Sequence, residues 1–312
     1  MKKKVLVVGS IAFDVIFDIH GKIKDSIVIE GGKAGRQNLM FTSKVKQERY
    51  GGTGANIAYG LGLLGVKPIL FGSVGKDFRP HFYSHLESHG VDIRVHIEKN
   101  DWTAAFVGLS DELKEQIGLW QPNAHDFLET ISITDTLDKK TLREVSVAIF
   151  CGKPSIALRH MRDVRKIVGK KPQIIFDPGQ MITFYDIGAL RESLSFSNIF
   201  IANDVELAQA RKILNCSTKD FFNFGPHTII ETRGEKGSVI YDKKNETIII
   251  VVVPAKVVET TGAGDAYRAG LIHGLLKGFS LKRSCEVGSY MGAKSVESYG
   301  AQTYKILKQD IL

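Results

Sequence analysis

Residues 259 to 270, ETTGAGDAYRAG, set one carboxylate, Asp265, directly behind a Gly-Ala-Gly and directly ahead of an apolar helical stretch. Glycine lets the backbone turn tightly and aim consecutive N–H groups into one concavity, and a helix that begins there adds the positive end of its dipole. The backbone of Gly262, Ala263 and Gly264 therefore suits negative charge building up on phosphoryl oxygens, and Asp265 stands where a hydroxyl attacking that phosphorus would lose its proton. A carboxylate of ordinary pKa is adequate for this task, because a loose transition state releases the proton late. The same residues also fit a plainer reading, with Asp265 capping the helix.

Three further groups of residues suit a ligand that carries hydroxyls and phosphates. In YGGTGANIAYGLGLLG, from Tyr50 to Gly65, Gly51 and Gly52 offer bare backbone for close approach. Asn56, at the start of an apolar helix, supplies a donor and an acceptor for neighbouring hydroxyls. Asp14 ends GSIAFD just past the first expected strand, at the end of a parallel sheet where ligands settle, and could accept from two vicinal hydroxyls. A turn acid and packing glycines read these residues equally well. Asn203 and Glu206 in NDVE lie one helical turn apart and suit hydrated Mg²⁺ on nucleotide phosphates, although Asn followed by Glu at that spacing is also a capping pattern. TRGEKGS, from Thr232 to Ser238, is a glycine-punctuated turn between two strands.

Positioning these groups requires a scaffold, and the apolar runs supply one. Val5–Val8, Ile69–Phe71, Val145–Phe150, Ile174–Phe176, Ile199–Ala202 and Thr228–Ile230 read as strands. Helical patterns from Asn56 to Leu64, Arg79 to Ser88, Ile156 to Val168 and Val205 to Leu214 lie between them, several closing on glycine at Gly65, Gly90 and Gly169. Alternation of this kind predicts an α/β fold with a mainly parallel sheet covered on both faces. Residues 15 to 50 and about 94 to 121 break the rhythm with short alternating segments. They predict antiparallel strands outside the main sheet, pairing into one small β-lid over its edge. The stretch from Thr228 to Val253 reads as an antiparallel run with turns at Arg233-Gly234 and Lys244-Asn245. The whole, 1 to 312, is expected to be a single domain.

The chain has 312 residues, 43% hydrophobic, with a formal net charge of +8, so it can bury a large core and favours anionic partners. Arg159, Arg162 and Arg165 are spaced along one side of a helix and read as a solvated face; with no interleaved aromatics or reader motif, nucleic-acid binding is not expected. No apolar run reaches the roughly 18 residues of a membrane span, and MKKK leads into a run too short for a signal peptide, which predicts a cytoplasmic protein. Cys151, Cys216 and Cys285 fit no disulfide or zinc pattern and read as buried thiols. His81, His85 and His89 recur four apart, a spacing that could bind metal, but read as solvent-exposed histidines. No GxGxxG behind a strand and no GxxxxGK[ST] is present, so phosphate must be held by another cradle.

Taken in order, Asp14, GGTGANIA from Gly51, GSVGKDF from Gly72, DPGQ from Asp177, NDVE from Asn203, TRGEKGS from Thr232 and TTGAGDAYRAG from Thr260 resemble the ribokinase-like or PfkB family of carbohydrate and nucleoside kinases over nearly the whole chain. YGGTGANIAYGL, FDPGQ and GDAYRAG look most like the adenosine and nucleoside kinase branch. The resemblance implies a three-layer sandwich with a β-lid, ATP as phosphate donor, Mg²⁺, and the 5′-hydroxyl of a purine nucleoside, adenosine first, as acceptor. It implies that Asp265 is the base, Gly262 to Gly264 the anion hole, and Asp14, Gly51, Gly52 and Asn56 the ribose site. It further implies Asn203 and Glu206 at phosphate and Mg²⁺, and Thr232, Arg233, Gly234 and Gly237, with Gly264, beside ATP. Phe13, Phe106 and Trp120 are the aromatics offered to the base. Where the family often has an Asp that helps bind an activating monovalent cation, this chain has Glu259, which puts that site in doubt. A sugar kinase acting on ribose or a related sugar, or a non-catalytic sensor on the same scaffold, stays open at this point. So does assembly as a monomer or a lid-mediated homodimer.

Overall fold

Val5 to Val8 is apolar at every position, as a strand covered on both sides must be, and the computed structural model, which describes residues 3–26, 29–30, 33–34, 39–113, 116–243 and 247–307, places it near the middle of a nine-stranded sheet. The order is β17 (Thr247–Ile250), β16 (Ser238–Asp242), β15 (Thr228–Thr232), β14 (Ile199–Asn203), β13 (Gln173–Asp177), β12 (Val145–Cys151), β1 (Lys4–Val8), β6 (Ile69–Phe71) and β8 (Asp92–Ile93). Strands from β15 through to β8 pair in parallel, and β16 and β17 complete the edge antiparallel. The turn expected at Lys244-Asn245 lies outside the described residues.

Alternate side chains divide the sheet's two faces. Val5 and Val7 join a core with α1 (Thr53–Leu63), α2 (His81–Ser88), α7 (Ala263–Lys277) and α8 (Leu281–Val296). Leu6 and Val8 face α3 (Lys139–Arg143), α4 (Pro154–Val168), α5 (Ile187–Phe196) and α6 (Asp204–Leu214) on the other side. The result is the expected three-layer α/β sandwich. From β1 the chain moves outward to β6 and β8, then returns across β1 to β12, which makes the β1–β12 junction a topological switch point. In open parallel sheets, ligands bind at the C-terminal strand ends beside such a junction.

A second, four-stranded sheet is ordered β11 (Gln116–Gln121), β10 (Ala104–Ser110), β2 (Ala12–Ile19) and β5 (Ser43–Gly51). It unites the two segments that break the helical rhythm. The β2–β5 and β10–β11 pairs are antiparallel as expected, but the two halves join through a parallel β2–β10 pair. β2 begins only four residues after β1 ends, so Asp14 is the third residue of a small-sheet strand and does not lie in a loop. Two-stranded pairs β3 (Ile29–Glu30) with β4 (Lys33–Ala34), and β7 (Ser73–Gly75) with β9 (His96–Glu98), are also formed. Parts of the first interval, residues 27–28, 31–32 and 35–38, and residues 114–115 of the second lie outside the described residues.

Two surface expectations change. Arg162 is exposed and pairs with Glu192, as a solvated face would have it, but Arg159 and Arg165 are half-buried and donate to backbone carbonyls, Arg159 to Thr130 and Ile131 and Arg165 to Gly169, Pro172 and Phe196. Of the three histidines, His81 is exposed, but His85 and His89 are half-buried against Tyr59, and no metal-binding cluster of His, Cys, Asp or Glu exists among the described residues. Cys151 and Cys285 are buried free thiols and Cys216 is half-buried. No helix among the described residues is long and apolar enough to cross a membrane.

Candidate active site

The helix α7 opens on Gly262, whose φ of 79° and position against Ala301, only 2.4 Å from where a methyl at 262 would lie, admit glycine alone. The first intrahelical bond runs from Ala266 N–H to Gly262 O at 2.9 Å, so the amides of Gly264 and Asp265 precede the helical ladder. The Ala263 amide, expected to face an anion, instead donates to Thr260 O at 3.2 Å and closes the turn. Asp265 sits in the first turn, and its Oδ2 accepts from Asn56 Nδ2 at 2.8 Å. Burial pushes its carboxyl up to about 7, helped by the charges of Asp177 and Asp14 and opposed by Arg268 and the Asn56 hydrogen bond. An ordinary carboxylate would be adequate on sequence grounds; the partly buried Asp265 instead takes up protons nearer neutrality.

Asn56 is 5% exposed on α1. With Oδ1 accepting from Gln302 Nε2 at 2.9 Å and one N–H directed to Asp265, the amide expected to hold hydroxyls is engaged within the protein. One side-chain N–H of Asn56 is left for a ligand. Gly52 forms the N-cap of this helix with φ 89°.

Asp14 lies across β2–β5 from Arg49, and a methyl at Gly51 would fall 2.2 Å from its Oδ2, so the carboxylate fills the space that glycine leaves. Burial raises Asp14 to about 6, with Glu259 adding to the rise and Arg49 opposing it. Arg49 Nη1 donates to Glu259 Oε2 at 2.7 Å, and the same oxygen accepts from Gly300 N–H at 2.9 Å. A guanidinium thus already neutralises the one carboxylate that a monovalent cation would use, and the residues present do not fit such an ion.

Beneath α7, Arg268 and Asp177 form a buried ion pair, 6% and 1% exposed. Arg268 Nε and Nη2 engage both Asp177 oxygens, the second at 2.9 Å, while Nη1 donates to Gly264 O at 3.0 Å. This arginine therefore ties the end of β13 to the turn that carries Asp265. Alongside, the ends of β14 and β15 bring Asn203 opposite Thr232. Asn203 and Glu206 cap α6 reciprocally, Asn203 N–H to Glu206 Oε2 and Glu206 N–H to Asn203 Oδ1, both at 2.8 Å. Glu206 is 7% exposed, and burial with Asp177's charge raises its carboxyl while Arg268 lowers it. In the following turn Gly234 and Gly237 both take positive φ, and the Arg233 guanidinium hydrogen-bonds to Glu231 at 2.8 Å and Tyr241 at 3.1 Å. Ser238 joins this turn to α7 through Tyr267 at 2.7 Å.

The family model described as pfkB family carbohydrate kinase matches residues 2–308. The chain belongs to the PfkB family. Its PfkB relatives include the nucleoside kinase of Methanocaldococcus jannaschii, 28% identical over 96% of this chain and 93% of that protein, and the nucleoside kinase of Methanothermobacter thermautotrophicus, 29% identical over 96% and 92%. The crystal structure of the Methanocaldococcus jannaschii enzyme superposes with a TM-score of 0.86 over 100% of this chain and 97% of that one, at 26% identity. The Burkholderia thailandensis nucleoside kinase in complex with inosine superposes with a TM-score of 0.82 over 98% and 95%, at 27% identity.

Within this PfkB frame, strand alternation sorts the aromatics. Phe106 pairs with Asp14 and with Trp120, so all three share a face of the small sheet with Arg49. Phe13 falls on the reverse face, partly buried against Phe82 at 5.4 Å and Tyr50 at 6.1 Å. Sequence reasoning assigned no role to Arg268, Asp177 or Gln302. A charged residue inside an otherwise buried helix was a usable sign for Arg268, because such a charge requires a buried partner. Gln302 carries no comparable signal.

Proposed function

We propose that this PfkB-family chain transfers the γ-phosphoryl group of ATP to the 5′-hydroxyl of a purine nucleoside, adenosine first. The observation that carries the reading is Asp265: a carboxyl raised to about 7, in the first turn of α7, within the electrostatic reach of Asp14. A base poised near neutrality takes a proton from an attacking hydroxyl, while the Gly264 and Asp265 amides and the start of the helix dipole steady charge on the transferred group. Asp14 accepts hydrogen bonds from ribose hydroxyls, and Gly51 and Gly52 keep the backbone beside it bare. Phe106 and Trp120, on Asp14's face, border the base. Thr232, Gly234 and Gly237 border ATP. The relatives' names, and inosine in one of them, support a nucleoside over a free sugar.

Mg²⁺ fits the Asn203–Glu206 corner, where Glu206 is a buried carboxylate with Oε2 fixed by the Asn203 N–H. There Asn203 and Glu206 would hold its water shell, and the ion would neutralise phosphate charge. The reading is tested by steady-state rates with adenosine, inosine, cytidine and ribose, each with ATP and with GTP. A nucleoside monophosphate formed fastest from adenosine and ATP is the expected result; ribose as the best acceptor would replace the reading with a sugar kinase. No product with any acceptor would leave a sensor.

A further inference from the structure

Gln302 is 3% exposed and donates from Nε2 to Asn56, which itself donates to Asp265. Its other end, Oε1, is buried and finds no hydrogen-bond partner among the described residues; His85 Nε2, on α2, is in the same position. An orphaned buried acceptor and an orphaned ring nitrogen each carry a desolvation cost that is relieved when they serve one another. Both residues line the same hollow, and Gln302 raises the imidazole's pKa against the effect of burial, as an acceptor beside the ring would. The ring is also held in place: it stacks on Tyr59 at 5.4 Å and 11°, with Tyr50 4.8 Å away. Burial and the neighbouring His89 keep His85 below its ordinary pKa, so near neutral pH the imidazole is uncharged and carries a single N–H.

We propose that His85 and Gln302 are positioning residues for the reaction, His85 donating from Nε2 to Gln302 Oε1 and thereby setting the direction of the hydrogen-bonded chain Gln302–Asn56–Asp265. Two amides in series can be threaded in either sense. One sense presents an Asn56 N–H to the Asp265 carboxylate, and the other presents a carbonyl that repels it. A histidine donor at the far end selects the first. The hollow that His85 and Gln302 line, of about 760 Å³, is shared with Phe13, Arg49 and Tyr50 of the small sheet, so this end of the chain can be reached by small molecules.

The inference rests on Asp265 acting as the base, and the experiment separates the two. Kinetics of His85→Ala, Gln302→Met and the double variant are measured on the acceptor that the panel selects, with Asp265→Asn alongside. Each single variant is expected to lower kcat by roughly 10- to 100-fold, the scale of a small misplacement of a reacting group, with KM for ATP unchanged. The double variant should fall no further than the worse single one, as coupled residues do. Imidazole added to the assay should restore His85→Ala and leave Gln302→Met unimproved. An unaffected His85→Ala, additive losses, or no rescue by imidazole overturns the inference. Should His85→Ala fail to fold, His85→Gln, which keeps an N–H donor, is expected to outpace His85→Met, and equal rates overturn it. If Asp265→Asn turns over like the wild type, the proposed function itself falls; if only Asp265→Asn is impaired, the function stands and this inference falls.

Discussion

At the scale of single residues, the carboxyl of Asp265 sets two expectations that point in opposite directions. Removing it as Asp265→Asn should lower turnover by about 10²–10⁴-fold, the usual loss for a general base. The same change should raise stability. The native carboxyl binds its proton up to about pH 7 whereas the ordinary value is 3.8, so folding loses stability as pH climbs through that interval and the charged form is the costly one. Asparagine never ionises, and at pH 8 a gain in Tm on the order of 2 °C is expected by thermal unfolding. A pH–rate profile of the wild type should show activity declining as pH falls through about 7, and that limb should vanish from any residual activity of the asparagine variant. For Asp14→Ala the expected change is a raised KM for the acceptor with KM for ATP little altered; a defect confined to ATP would remove Asp14 from the acceptor site.

At the scale of elements, α7 and β13 are joined by the Arg268–Asp177 pair, and the joint is sensitive to loss of one partner. Arg268→Met leaves a carboxylate 1% exposed without its counter-ion, which costs about 3–5 kcal/mol and should lower Tm on the order of 10 °C. A double variant with Asp177→Leu should regain much of that loss, because two apolar residues leave no charge stranded. What the sequence revealed divides along the same line. Asp265 behind its glycines and the cap at Asn203 were legible because their meaning lies in neighbours a few residues away, whereas the fit of Asp14 into the space left by Gly51 was not. Arg268 finds Asp177 across 91 residues, Arg49 finds Glu259 across 210 and Gln302 finds Asn56 across 246, and no local pattern encodes those meetings. The parallel β2–β10 pairing was missed for a related reason: alternation shows which face of a strand is buried but not the direction of the strand beside it.

At the scale of the whole molecule, alternation of apolar strands with helices was enough to specify three layers, because a parallel strand buried on both faces needs a helix above and below. The switch point between β1 and β12 could be located only once the strand order was known, yet it explains why residues from Asp14 to Gln302 converge on one edge of the sheet. The net charge of +8 favours anionic partners, but Arg49, Arg159, Arg165 and Arg268 are engaged by carboxylates or backbone carbonyls of the protein, so these four do not form a free basic surface.

The Arg49–Glu259 contact joins the small sheet, to which Arg49 belongs, to the turn ahead of α7, which carries Glu259. Any hinge that swings the small sheet away to release product must first unfasten this tether, and both partners, about one-fifth exposed, are within reach of mobile ions. Dissolved salt then becomes a lubricant for opening, and an enzyme whose slow step is departure of its product would run faster in brine than in dilute buffer.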